Sequence, residues 1–203
     1  MATGDTDVSI CNDALVLLGS EGVTSFDDGS TEAAICSALY PNIRDLFLSM
    51  YPWSFAQKKV ELQRETTSPD FEWTYQYALP SDMLSTLRSV TNTSAIGAPS
   101  ITEWEIVGNK LMTDQTTIWV DYCYRPSESL WPPHFVQLMK YVLAWHFAEP
   151  LTDQQSKAAY WQGMAVGTPS EGGRGGFFRQ CAAIDGMGTP NNSIAGFDLV
   201  DVR

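Results

Sequence analysis

The side chains that could do chemistry are few, and their spacing argues against most catalytic uses. The two histidines, His134 and His146, stand twelve residues apart in one helical stretch. That is not the i, i+4 spacing that turns two imidazoles toward one zinc ion. His146 lies on an apolar face and reads as a core histidine. Cys11, Cys36, Cys123 and Cys181 are scattered, with no C-x-x-C pair. They are too sparse for a disulfide scaffold and read as reduced, mostly buried thiols. The chain contains no G-x-S-x-G elbow, no P-loop and no G-x-G-x-x-G. The glycines around Arg174 superficially resemble a phosphate loop, but no strand precedes them and no Lys-Ser/Thr follows. No metal or cofactor site is expected.

Two acid pairs could in principle cleave glycosides, a reaction that needs only two carboxylates. Glu103 and Glu105 share a strand face, about 7 Å apart by strand rise, and Asp70 and Glu72 do the same. No groove is predicted around either pair, so they read as solvent-face acids. Trp73, Tyr75 and Tyr77 could stack on sugars. Equal spacing on one strand face is more often the inner face of a sheet. Two alternatives to a purely structural protein therefore stay open, a cell-wall hydrolase using a carboxylate pair and a glycan-binding module.

Composition bounds the rest. The 203 residues are 44% hydrophobic and 12% aromatic, enough for a packed core. The formal charge is −12. Such a balance disfavours gripping nucleic acid through its phosphates, or lying on an anionic membrane. Residues 1–50 carry −7 of that charge, 51–131 carry −4, and 132–203 only −1. No secretory leader is read in the first ten residues, and the apolar run 135–148 is too short to span a bilayer.

The elements that must position these residues fall into three blocks. Residues 7–18 have apolar groups at helical spacing, Asp5, Thr6 and Asp7 as N-cap candidates, and Gly19 as C-cap. A second helix starts after Ser30 and carries Ile35, Leu39, Ile43, Leu46, Phe47 and Met50, with a kink expected at Pro41. Period two then takes over. Strands are predicted around residues 58–62, 73–79, 87–90 and 118–124, with a Gly108-Asn109 hairpin over 104–112. Helical spacing returns at Pro132-Pro133, with proline favourable at N1. That helix is apolar nearly all round and is expected to stop at Pro150. Thr152-x-x-Gln155 predicts a capping box for a fourth helix to about residue 165. The expectation is an α+β protein. About four helices (1–54 with 132–166) form a bundle, a small antiparallel β domain (55–131) is inserted, and residues 167–203 form an extended C-terminal arm. Large apolar groups in that arm, with a short possible helix to Ile184, suit a segment that orders against another chain.

Several of these residues together resemble a known family. They are Cys11-Asn12-Asp13-Ala14-Leu15 with Leu18-Gly19, then Ala33-Ala34, Cys36, Tyr40-Pro41 and Arg44-Asp45, then Pro52-Trp53-Ser54-Phe55-Ala56. Trp73-x-Tyr75-x-Tyr77-x-Leu79-Pro80-x-Asp82-Met83-Leu84, Tyr124-x-Pro126 and Phe147-Ala148-x-Pro150-Leu151-Thr152 continue the pattern. Over residues 7–165 the chain resembles the tail tubular protein A family, the head-to-tail adaptors of short-tailed bacteriophages. The resemblance implies a virion protein of the phage neck, assembled in the host cytoplasm, without catalytic turnover. It implies a homo-oligomeric ring, usually of twelve copies, between the portal protein and the tail nozzle protein, where tail fibres can dock. Genomic DNA would pass through the lumen without specific binding, and no membrane is involved. The C-terminal arm would reach the portal. Arg174, Phe177, Phe178, Arg179, Ile184 and Phe197 are its candidate contacts.

Overall fold

The computed structural model describes residues 4–70, 72–95 and 97–188. The protein is α+β. Five helices and two three-stranded antiparallel sheets follow one another, helices at both ends of the described chain and sheets between.

Helix α1 (Asp7–Leu18) begins at Thr6, whose hydroxyl accepts from the Ser9 amide while Ser9 returns a bond to the Thr6 amide. It ends on Gly19 in the left-handed region, φ 79°, where a side chain would be strained. Helix α2 (Thr31–Ser49) is capped by Ser30 and runs unbroken through Pro41. Helix α3 (Pro133–Thr152) starts at the predicted proline pair. It does not stop at Pro150, which lies inside its last turn. There the ring supplies no N–H to the carbonyl four residues back, and the helix runs on only to Thr152. The stop is Asp153, at φ 51°. The predicted capping box is also absent, because the Thr152 hydroxyl turns back to the Ala148 carbonyl at 2.6 Å. Helix α4 (Gln155–Val166) begins without a side-chain cap.

The main departure lies beyond Gly167. Residues expected in an extended arm form a 3-10 turn (Pro169–Glu171) and a fifth helix, α5 (Gly176–Met187). Phe178 and Cys181 on α5 are buried in the helical core. The glycine density that suggested an unpacked segment serves a tight return of the chain. A Cβ at Gly176 would lie 2.7 Å from the Gly167 nitrogen and 2.8 Å from the Met164 carbonyl oxygen, and its φ is +51°. Residues 189–203, with Phe197, lie outside the described residues.

The strands are β1 (Gln57–Glu61), β2 (Tyr75–Ala78), β3 (Ser89–Thr91), β4 (Glu105–Val107), β5 (Lys110–Thr113) and β6 (Trp119–Cys123). They pair in the orders β1-β6-β3 and β2-β5-β4. Because β1 enters the β region and β6 leaves it, their pairing from Gln57↔Cys123 to Glu61↔Trp119 brings both connections to one place.

Among the described residues there are two hydrophobic cores. One is helical and surrounds α3, which is buried at Phe135, Leu138, Met139, Val142, Leu143 and Phe147. The other lies between the sheets, around Tyr77, Val90, Leu111, Ile118, Val120 and Tyr122. No helix among the described residues is long and apolar enough to cross a membrane.

Candidate assembly surfaces

Several of the resembling residues converge at the junction between the two cores. Trp53 is fully buried, with its ring 5.0 Å from Phe135 and 5.5 Å from Phe178, and its indole N–H donates to the Phe47 carbonyl at 2.9 Å. Pro52 and Trp53 therefore end α2 and plug the helical core in one step. Ser54 donates both its amide (2.8 Å) and its hydroxyl (2.6 Å) to the Asp185 carboxylate, buried on α5. The Tyr51 hydroxyl donates to the Ala182 carbonyl at 3.3 Å. Helix α5 is thus strapped to the chain just where it passes from helix to sheet.

A second set of bonds closes the junction from the exit side. The Tyr40 hydroxyl and Arg44 Nη1 both meet Glu128, at 3.1 and 3.0 Å. Burial, then the Glu128 charge, push the Tyr40 phenol well above its ordinary range, so it stays a donor. Arg125 pairs with Asp45, with Nε to Oδ1 at 2.8 Å. The Tyr124 amide donates to the Ala56 carbonyl at 3.0 Å. In the β region Asp82 accepts from Tyr122 and Lys58, each at 2.8 Å. Burial alone would raise the Asp82 carboxyl, but these two donors outweigh it and hold it below the usual range.

Three of the four thiols are held protonated by their surroundings, while the hydrogen bond with Cys11 lowers Cys36 against the effect of burial. All four are free and buried. Cys11 is kept protonated by its hydrogen bond to Cys36 and by burial, and burial pushes Cys123 up to about 11 and Cys181 up to about 12. Burial lowers both histidines, and for His134 the Asp185 charge opposes it. Among the described residues no group of three or more His, Cys, Asp or Glu side chains could hold a metal ion.

The other sequence candidates come apart. Glu103, Glu105, Asp70 and Glu72 are all exposed. Glu105 accepts from the Trp73 indole at 3.3 Å. The aromatic ladder is divided: Tyr77 is buried and donates to the Gln115 carbonyl at 2.7 Å, while the Arg64 guanidinium covers the Tyr75 ring at 4.9 Å.

The arm candidates divide as well. Phe178 is interior, and Phe177 packs edge-on against Tyr141 at 5.5 Å. Phe178 belongs to the helical core, and Phe177 is half-buried against it. Arg174, Arg179 and Ile184 are exposed.

Apolar groups are left uncovered on the helices, among them Leu46, which helical spacing had placed in the apolar stripe of α2. Val16 on α1 is 69% exposed, Leu46 on α2 52%, and Tyr160 on α4 60%. Met164, four residues after Tyr160, shares its stripe and is also exposed. Leu46 borders a cleft of about 170 Å³ between α2, α3 and the end of α4, lined by Phe47, Met50, Trp145, His146 and Val166. Sequence spacing could have flagged Tyr160 and Met164, which belong to a helix of very weak amphipathic character. No protein-family model matches the chain, and no curated protein matches it.

Proposed function

We propose that this chain is a structural virion protein, a head-to-tail adaptor whose copies form a ring between the portal vertex and the tail nozzle. On this reading the helices are a bundle, the β region is a domain inserted in it, and the genome passes through the ring's lumen. The observation that carries the proposal is where the resembling residues sit. Tyr40, Arg44, Asp45, Pro52, Trp53, Ser54 and Ala56 all work at one junction, holding the helical and β regions in fixed relation. They line no common cleft. A ring subunit needs such rigidity, because a small angular error per copy accumulates around the circle and prevents closure.

The apolar groups left open on the helices support the same reading, since exposed apolar area rimmed by polar residues is a mark of protein contact surfaces. The negative charge of the subunit suits a lumen that DNA slides through without adhering. Portal contacts of the C-terminal segment would fall to Arg174, Arg179, Ile184 and Phe197, with Phe177 and Phe178 supporting α5 from beneath. The test is to purify the full chain with the portal protein of the same phage and image the mixture by negative stain. A ring seated on the portal is expected, and separate unassociated particles would contradict the proposal.

A further inference from the structure

The strands at the sheet margins are not equally covered. On the outer side of β2 the Glu65 amide donates to the Gln76 carbonyl at 3.0 Å, and on that of β3 the Ile101 amide donates to the Val90 carbonyl at 2.7 Å. The edge of β1 is open. Leu62 donates to Ile118 and Tyr124 to Ala56, so in this register the even-numbered residues of β1 bond to β6. Gln57, Lys59 and Glu61 therefore turn their N–H and C=O groups outward, where they meet no backbone partner among the described residues. A cleft of about 530 Å³ runs beside this edge, lined by Lys58, Val60, Leu62, Ala78, Pro80 and Asp82.

The charges of this edge have a complement in the same chain. Lys59 and Glu61 are exposed and make no ion pair among the described residues. Asp121, opposite Lys59 on β6, accepts instead from the Ser89 hydroxyl at 2.7 Å. Against Lys59-Val60-Glu61 stands Asp201-Val202-Arg203. Laid parallel, the two triplets put Asp201 beside Lys59, Val202 beside Val60 and Arg203 beside Glu61, so both charged pairs are opposite in sign. Laid antiparallel, they set Arg203 against Lys59 and Asp201 against Glu61, like charges both times. The outer side of β4 carries Glu105, with the exposed Glu103 nearby, and offers no cation in that strand but Val107 and Ile106. The route to β1 is also short. Asp185 of α5 is bound to Ser54, three residues before Gln57. Ten extended residues reach about 33 Å, so residues 189–198 span that gap with length to spare.

We propose that residues 199–203 add to the outer edge of β1 in their own subunit as a parallel strand, Asp201 beside Lys59 and Arg203 beside Glu61. The Lys59 and Glu61 amides then donate to the Val200 and Val202 carbonyls, and the two valines face the cleft. Residues 189–198, with Phe197, become a loop held at both ends. The entropy of ordering five residues offsets most of the gain, so the melting temperature should move by a few degrees at most. The contact stands on the edge and the charge pattern and does not depend on the ring reading.

The test is residue-resolved amide hydrogen exchange on the full-length chain. The Lys59 and Glu61 amides should exchange about tenfold more slowly in the wild type than in Val202→Pro, which lacks the N–H that would bond the Lys59 carbonyl. Equal exchange in the two overturns the strand. Lys59→Asp should lose the protection at Glu61 and Asp201→Lys added to it should restore it, whereas a double variant as unprotected as the single overturns the register. A chain carrying Lys59→Cys and Asp201→Cys places the only new thiols, since the native four are buried. Mild oxidation by a diamide should join them within one chain, two thiols giving their electrons and protons to the diamide. Products joined only between chains overturn the assignment to the same subunit. A ring on the portal without this protection sinks the strand alone, and protection in a chain that never meets a portal leaves the strand standing.

Discussion

Asp185 is one of the few charged side chains the described fold takes inside, and both of its recorded donors come from Ser54. A hydrogen bond to a charged group contributes about 1.5–3 kcal/mol, and loss of its acceptor strands the donors. Asp185→Ala is therefore expected to lower the unfolding free energy by about 2 kcal/mol, read from urea denaturation at neutral pH. An unchanged midpoint would mean that α5 is not held at this point. The histidines give a pH signature. Burial holds His146 below its ordinary 6.5 in the fold, so the unfolded chain takes up a proton first as the pH falls. Its contribution is fully present above about pH 6.5 and is lost as the pH drops from there toward the folded value. Melting temperature should decline between pH 7 and pH 5, and His146→Phe should flatten part of that decline. Parallel curves for the two proteins would refute the role given to burial. At this scale sequence showed which types were present but not their partners. Nothing in the spacing of Ser54 and Asp185, 131 positions apart, announces a bond.

Elements were legible where local chemistry settled them. Thr6, Gly19, Ser30 and the Pro132-Pro133 pair mark real helix ends because each meets a need of the first or last turn. Tyr77 and Leu79 alternate because one face of β2 meets a core. Pro150 misled, since the helix runs two residues past it and stops instead at Asp153, in the left-handed region. The arm misled for a different reason. Glycine density has two physical meanings, an unpacked chain or a backbone brought closer than a Cβ permits, and composition does not separate them. Gly176 belongs to the second kind. Gly176→Ala is thus expected to destabilise the protein by about 2 kcal/mol or more, through positive-φ strain and collision with the Gly167 and Met164 backbone. Gly172→Ala has open space around it and meets only the φ penalty, so it should cost less. Thermal melts of the two variants side by side check this, and equal losses would contradict the close-approach account.

For the whole molecule, α5 changes what a truncation tests. Removing residues 167–203 takes Phe178 and Cys181 out of the helical core and Asp185 away from Ser54. Loss of a buried phenylalanine alone costs about 3–5 kcal/mol, so that deletion is expected to unfold the helical region, not merely to detach a partner. Ending the chain after Gly188 removes none of the described contacts. It should melt as the full chain does while binding the portal more weakly. A comparable loss of stability would show that the removed residues belong to the fold.

If the chain joins copies of itself to a vertex neighbour, as proposed, native mass spectrometry of the full chain mixed with the portal protein should find a complex of the portal plus a closed set of adaptor copies, twelve by the resemblance. A chain that stays monomeric beside the portal at every concentration would contradict it.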